Sequence, residues 1–123
     1  MRPHHLALRV ADPGRSASFY AGLLGLAERA RHHEPGGALR SVWLEAEGGL
    51  VLMLEKKLAG EGPGQGSGHL LAFTVDDLAG WDARLAAAGA IVRGRTAHTI
   101  YFCDPDGHRL GVSTYPLGGA VGG

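Results

Sequence analysis

Residues 4–12, HHLALRVAD, are the strongest indication of the fold, because residues 69–77, HLLAFTVDD, repeat them. The two stretches are identical at five of nine positions when the chain is shifted by 65 residues. The shared residues are His4, Leu6, Ala7, Val10 and Asp12, which correspond to His69, Leu71, Ala72, Val75 and Asp77. In the first stretch apolar residues alternate with other residues, which is typical of a β-strand with one face against a core. The repeat indicates a chain built from two similar units.

Each repeated stretch leads into a helix and then into further strands. Asp12 followed by Pro13 is typical of a helix N-cap with proline at the first helical position, and Gly25 marks the helix end. Three strand-like segments follow, at residues 26–32, 39–47 and 50–55. The first unit is therefore predicted to be a βαβββ unit over about residues 4–55.

The second unit repeats this order over about residues 69–115. Its predicted elements are a helix at 78–88, a strand at 90–93, and a hairpin at 99–103 and 108–114 with the turn DPDG at 104–107. Residues 56–68 (KKLAGEGPGQGSG) are rich in Gly and lack periodicity, so we predict a linker there. A flexible tail is predicted at 116–123. Residues 1–115 are thus predicted to form a single domain of two units.

The composition restricts the possible partners and location. The chain has 123 residues with 12 basic and 12 acidic side chains, so its formal net charge is zero. Neutrality argues against nucleic acid or an anionic membrane as a partner, and no apolar run approaches the roughly 20 residues of a membrane span. Cys103 is the single cysteine, and the first 20 residues lack the apolar segment of a secretory signal. We therefore predict a cytoplasmic protein whose partner is neither nucleic acid nor a membrane.

The two tandem units carry motifs that resemble the vicinal oxygen chelate superfamily, which includes glyoxalase I, extradiol dioxygenases and bleomycin-resistance proteins. The motifs are the pattern SxxFY at residues 16–20 and YFCDPDGHRL at residues 101–110. The resemblance covers residues 4 to about 115. It implies an α+β fold in which two tandem βαβββ units form a curved, barrel-like mixed sheet with a cleft, and it also implies a homodimer.

Four positions decide whether the chemistry of that superfamily is available. Its enzymes hold a divalent metal ion with His on the first strand of a unit and Glu on the last. The resemblance places His5, Met53, Leu70 and Gly111 at these positions, so only the first retains a ligand. A single histidine does not hold a divalent cation against water, because affinity grows with the number and charge of the ligands. We therefore predict a metal-independent protein without a cofactor.

The alternation of the strands adds charged residues to the same face. Arg9 has the parity of His5, and Arg109 has the parity of Gly111. These arginines are predicted either to bind an anionic or carbonyl-bearing ligand, or to lie at a solvent-facing rim or pair with Glu55.

Two aromatic residues complete the candidate site. Trp43 and Tyr101 lie on the strand parity opposite the apolar residues, so they are predicted to stack on a flat ligand or to fill the space between the sheets. The predicted ligand-binding residues are His5, Arg9, Trp43, Met53, Glu55, Leu70, Tyr101, Arg109 and Gly111.

These residues lead to one preferred function and two alternatives. The preferred prediction is a metal-independent protein that binds a planar or hydrophobic small molecule and resembles bleomycin-resistance-type sequestering proteins. The first alternative is an enzyme: a metal-dependent lyase or dioxygenase that holds one divalent ion with a displaced His5, Glu55 and His69 set, or a metal-free isomerase-like catalyst. The displaced set requires a β-bulge that turns His69 inward. The second alternative is a domain that acts through a partner interface.

Overall fold

The computed structural model of the chain describes residues 1–62 and 68–117. The elements in chain order are β1 (His5–Arg9), α1 (Pro13–Leu24), β2 (Ala27–His33), β3 (Leu39–Glu45), β4 (Val51–Glu55), β5 (Leu71–Thr74), α2 (Trp81–Ala87), β6 (Ile91–Arg95), β7 (Thr99–Cys103) and β8 (Arg109–Ser113). The predicted α+β class and the tandem βαβββ order are confirmed. The strands form two separate four-stranded sheets, and the chain divides into the units Met1–Gly68 and His69–Gly123.

Parts of the predicted flexible segments lie outside the described residues, namely 63–67 of the linker and 118–123 of the tail. Within the described ranges, neither helix has the length and apolar character that crossing a membrane requires.

The first unit has the strand order β1-β4-β3-β2, with β1 parallel to β4 and the other pairs antiparallel. One face of this sheet carries Leu44, Leu52 and Leu54, which are at most 1% exposed, and α1 packs against β3 and β4. The helix begins as predicted, since the Asp12 side chain accepts a hydrogen bond from the Arg15 amide at 3.1 Å. The opposite face of the sheet is therefore the one available to a ligand.

The second unit repeats this topology with the order β5-β8-β7-β6 and a parallel β5–β8 pair. Its core residues, at most 1% exposed, are Leu85, Ile100, Phe102, Leu110 and Val112. The predicted DPDG turn is present, with Gly107 at φ 89°, a conformation that glycine adopts without a steric penalty.

The second helix is shorter than predicted at its start. It begins at Trp81 rather than near residue 78, because Gly80 adopts a left-handed φ of 84° at the N-cap and supplies no side-chain cap. The strand β5 begins at Leu71, where its regular pairing with β8 begins, so His69 and Leu70 lie before the strand.

An ion pair joins α2 to β6 and gives a pH-dependent contribution to stability. The Arg95 guanidinium donates hydrogen bonds to both carboxylate oxygens of Asp82, at 2.7 and 2.9 Å. These bonds lower the pKa of Asp82 below its usual value near 3.8. The contribution is therefore complete above the usual pKa and is lost as the pH falls through the lowered one.

We expect Asp82→Asn to lower the melting temperature slightly near pH 7, because the pair is exposed and screened by salt. The deficit relative to the unmodified protein should shrink steadily in melts recorded below about pH 4. An equal deficit at all pH values would contradict this assignment, and Arg95→Gln should reproduce the same pH dependence.

Candidate functional site

The predicted site residues of the first unit lie on one face of its sheet. The strand register pairs Arg9 with Glu55 and Trp43 with Met53, and His5 lies on the same face because alternate residues of a strand share a face. We call these five residues the first-unit face. His5 and Arg9 are exposed, whereas the other three are half-buried. The alternation in the sequence therefore groups these five residues on one face of the sheet, as predicted.

The indole of Trp43 is held by polar neighbours. Its Nε1 donates a hydrogen bond to Oε2 of Glu55 at 2.7 Å, so the carboxylate orients the ring. The His32 ring lies 4.5 Å from the Trp43 ring at an angle of 55°, and His32 Nδ1 is 3.0 Å from the Ser41 hydroxyl. The strand β2 has an irregularity before the pair of His32 and Ser41. Because an irregularity breaks the alternation of side chains along a strand, the sequence alone does not predict which face His32 lies on.

Arg9 contacts the segment that follows β4. Its Nε donates to the carbonyl of Leu58 at 2.7 Å, and its Nη2 donates to the carbonyl of Gly60. These bonds hold the described start of the predicted linker beside β1. The sequence alone does not predict this contact, because it joins residues about 50 positions apart.

The residues of the first unit do not fit a divalent metal site. His5 pairs with Val51 rather than with Glu55, which lies four residues further along β4 and thus roughly 13 Å away along the strands. Met53, between them, offers a soft thioether, whereas hard divalent cations take oxygen ligands. In the chain without residues 63–67 and 118–123, no three His, Cys, Asp or Glu side chains form a group that could hold a metal.

The β-bulge that would turn His69 inward is not seen in the paired part of β5. The β5–β8 register is continuous from Leu71 to Thr74, and His69 lies before the strand. Ala72 and Gly111 pair with each other, whereas Leu70 lies before the strand and outside the regular alternation.

A pocket of about 480 Å³ lies on the corresponding face of the second unit. Its lining residues are Leu70, Arg93, Tyr101, Phe102, Cys103, Gly107, Arg109 and Leu110. Three of the predicted residues, Leu70, Tyr101 and Arg109, thus come together around one cavity. We call this cavity the second-unit pocket.

Gly111 has the predicted parity but does not line the second-unit pocket. It is buried, and a Cβ atom at this position would lie 3.3 Å from Thr99 Cγ2 and 3.5 Å from Ala72 Cβ. Neighbouring side chains therefore occupy part of the space that a longer residue at this position needs.

Arg93 also lines the second-unit pocket, although the sequence alone does not single it out. Val92 pairs with Phe102 and Gly94 pairs with Tyr101, so Arg93 is the extra residue of a β-bulge in β6. A bulge leaves one residue unpaired and changes the direction of its side chain. The adjacent Gly94 inside a strand is the sequence signal that could have indicated it.

The turn between β7 and β8 contributes Gly107 to the lining of the second-unit pocket. Oδ1 of Asp104 accepts hydrogen bonds from the amides of Asp106 and His108, at 2.9 and 2.8 Å. Asp104 is 5% exposed, and Cys103 beside it is a free thiol that is 7% exposed. Because Arg109 directly follows His108, the turn also fixes the point from which the Arg109 side chain starts.

Solved structures share this fold across nearly their whole length. They include an antibiotic-binding protein from a Streptomyces species, with 25% identity over 92% of this chain and 94% of that chain and a TM-score of 0.71. The fosfomycin resistance protein FosX of Listeria monocytogenes, at 18% identity, covers 94% of this chain and 93% of its own with a TM-score of 0.73. A glyoxalase/dioxygenase from Nostoc punctiforme, at 23% identity, covers 94% and 91% with a TM-score of 0.70.

The family follows from a direct match of the sequence. A comparison with curated proteins found no significant match. The family model described as Glyoxalase/Bleomycin resistance protein/Dioxygenase superfamily matches residues 2–112, which is most of the chain. Together with the tandem βαβββ units and the two faces described above, this match shows that the chain belongs to the glyoxalase/bleomycin resistance protein/dioxygenase superfamily.

Proposed function

We propose that this protein binds a planar or hydrophobic small molecule without a metal ion and sequesters it unchanged. The observation that carries the proposal is the set of side chains at the positions where enzymes of the superfamily bind metal. Met53, Leu70 and Gly111 stand at three of them, and none supplies the oxygen or nitrogen donor that a divalent cation requires.

The surroundings of these positions suit a ligand held by burial and stacking. The second-unit pocket has the size of a typical small-molecule site, and the side chains of Leu70 and Tyr101 contribute apolar surface to it. On the first-unit face, Trp43 is held in one orientation by Glu55, so little side-chain freedom remains to be lost when a flat ligand stacks on it. The similarity to the antibiotic-binding protein, at 25% identity, also supports the binding of a small molecule.

The proposal also includes a homodimeric state and a cytoplasmic location. The first rests on the resemblance to the bleomycin-resistance branch, and the second rests on the single cysteine, which fits a reducing compartment.

The first test measures metal content and cation binding. Protein purified without an affinity tag should contain no stoichiometric metal by elemental analysis, and a series of divalent cations should leave its melting temperature unchanged. The variant His5→Ala should behave in the same way. A stoichiometric metal that disappears in His5→Ala would instead establish a metal site and contradict the proposal.

The second test distinguishes sequestration from catalysis. Flat hydrophobic compounds, including antibiotics, should be screened for those that raise the melting temperature, since a ligand that binds the native state stabilises it by mass action. A compound that stacks on the first-unit face should quench the fluorescence of Trp43, and Trp81→Phe, which removes the other tryptophan, should retain the quenching. Mass spectrometry should recover the compound intact after prolonged incubation. Recovery of a converted product would show an enzyme.

A further inference from the structure

The second-unit pocket is cationic as well as apolar. Two of its lining residues, Arg93 and Arg109, carry a full positive charge, and none of its lining residues is acidic. A pocket with positive side chains and apolar walls attracts compounds that combine a flat apolar body with a negative group.

The guanidinium groups of these two arginines have no partner among residues 1–62 and 68–117. Neither group forms a hydrogen bond or an ion pair with a described side chain or backbone atom. Other arginines of the chain do: Arg95, two residues from Arg93 on the same strand, is bound to Asp82, and Arg31 is bound to Glu28. The hydrogen-bonding capacity of both pocket guanidinium groups is therefore available to a ligand.

The strand order places the two arginines on the two strands beside β7, and Arg109 pairs there with Cys103, two residues from Tyr101. Arg93 lies on β6 and Arg109 on β8, while Tyr101 lies on β7 between them. Neighbouring strands are about 4.8 Å apart, so the two arginine backbones are separated by about 10 Å across the sheet. Arginine side chains are long enough to converge on one anionic group from these positions.

We propose that the second-unit pocket binds a planar aromatic compound that carries one anionic group, with that group between Arg93 and Arg109 and the ring system against Tyr101. The inference rests on the proposed function and specifies the class of its ligand. The β-bulge is essential to it, because Arg93 is the residue left unpaired there, next to Gly94, which pairs with Tyr101.

The test compares two probes that differ only in charge, naphthalene-2-carboxylate and naphthalene-2-carboxamide, by calorimetric titration in low salt. The carboxylate should bind about tenfold more tightly than the amide, because a charge-assisted bidentate hydrogen bond is stronger than a neutral one. Arg93→Gln and Arg109→Gln should each weaken carboxylate binding by about tenfold and leave amide binding nearly unchanged.

Arg95→Gln is the matched control. It removes one positive charge from the same strand, but that charge is already paired with Asp82, so carboxylate affinity should stay within about twofold of the original. Both pocket arginines are exposed, and their glutamine variants should therefore keep the melting temperature of the unmodified protein. Loss of carboxylate affinity in Arg95→Gln equal to that in Arg93→Gln would indicate a general charge effect and overturn the proposal.

A second measurement locates the probe. Cys103 lines the second-unit pocket, so saturating carboxylate should slow the reaction of its thiol with a maleimide by several-fold, whereas the amide at the same concentration should have less effect.

Equal binding of the two probes, or binding that does not respond to Arg93→Gln and Arg109→Gln, would overturn the anionic ligand class. So would the absence of binding by both probes. These outcomes are separate from failure of the proposed function, which is decided by metal content and by recovery of the compound, because neither measurement depends on the two arginines.

Discussion

Replacement of Leu44 by alanine is expected to lower the free energy of unfolding by about 3 kcal/mol and the melting temperature by roughly 10 °C. Leu44 lies on β3, which has a strand on each side, and its side chain is fully buried on the face that packs against α1. Its truncation removes apolar burial and leaves a cavity that the surrounding strands fill only in part. Urea denaturation followed by circular dichroism measures the change.

Leu44→Met is the matched control, because it keeps the apolar volume and should cost less than about 1.5 kcal/mol. A loss below about 1 kcal/mol for Leu44→Ala would mean that the contact between α1 and β3 is not the core of the first unit. The same result would weaken the assignment of the opposite face of the sheet to a ligand.

The second large effect is expected at Asp104. Asp104→Ala removes the acceptor of two backbone amides in a nearly buried turn and should lower the free energy of unfolding by about 2 kcal/mol. Asp104→Asn keeps an acceptor oxygen at the same place and should retain most of the stability. Urea denaturation of the two variants in parallel provides the comparison, and an equal loss in both would show that the negative charge matters rather than the acceptor.

The same variant should also affect ligand binding. The amide of His108 would lose its acceptor, and Arg109 begins β8 at the next residue. We therefore expect Asp104→Ala to weaken naphthalene-2-carboxylate binding by several-fold at a temperature where the protein is fully folded, and Asp104→Asn to preserve it.

Much of the fold can be predicted from this sequence because local and long-range signals agree. The 65-residue repeat, the cap formed by Asp12 and Pro13, and the DPDG turn each have a local physical cause. Alternation along the strands then decides which side chains share a face, and it correctly groups Trp43 with Met53 and Tyr101 with Arg109. The strand pairing itself follows from the two βαβββ units.

The features that the sequence does not predict depend on irregular backbone or on distant contacts. Arg93 is brought to the second-unit pocket by a bulge, and a bulge breaks the alternation on which the prediction relies. The first turn expected for α2 is absent because Gly80 takes a left-handed conformation. The bonds from Arg9 to the carbonyls of Leu58 and Gly60 cannot be predicted from the sequence, because only the folded chain brings these residues together.

The bulge in β6 has a consequence for the behaviour of the protein at high concentration. Within its sheet β6 has one hydrogen-bonded neighbour, and it exposes Ile91 and Val92, so its outer edge could add a strand from another molecule. Such addition requires a regular row of amides and carbonyls, and the bulge at Arg93 interrupts that row. The positive charge of Arg93 further opposes the approach of an identical strand. The backbone irregularity that shapes the pocket therefore also protects the sheet against aggregation.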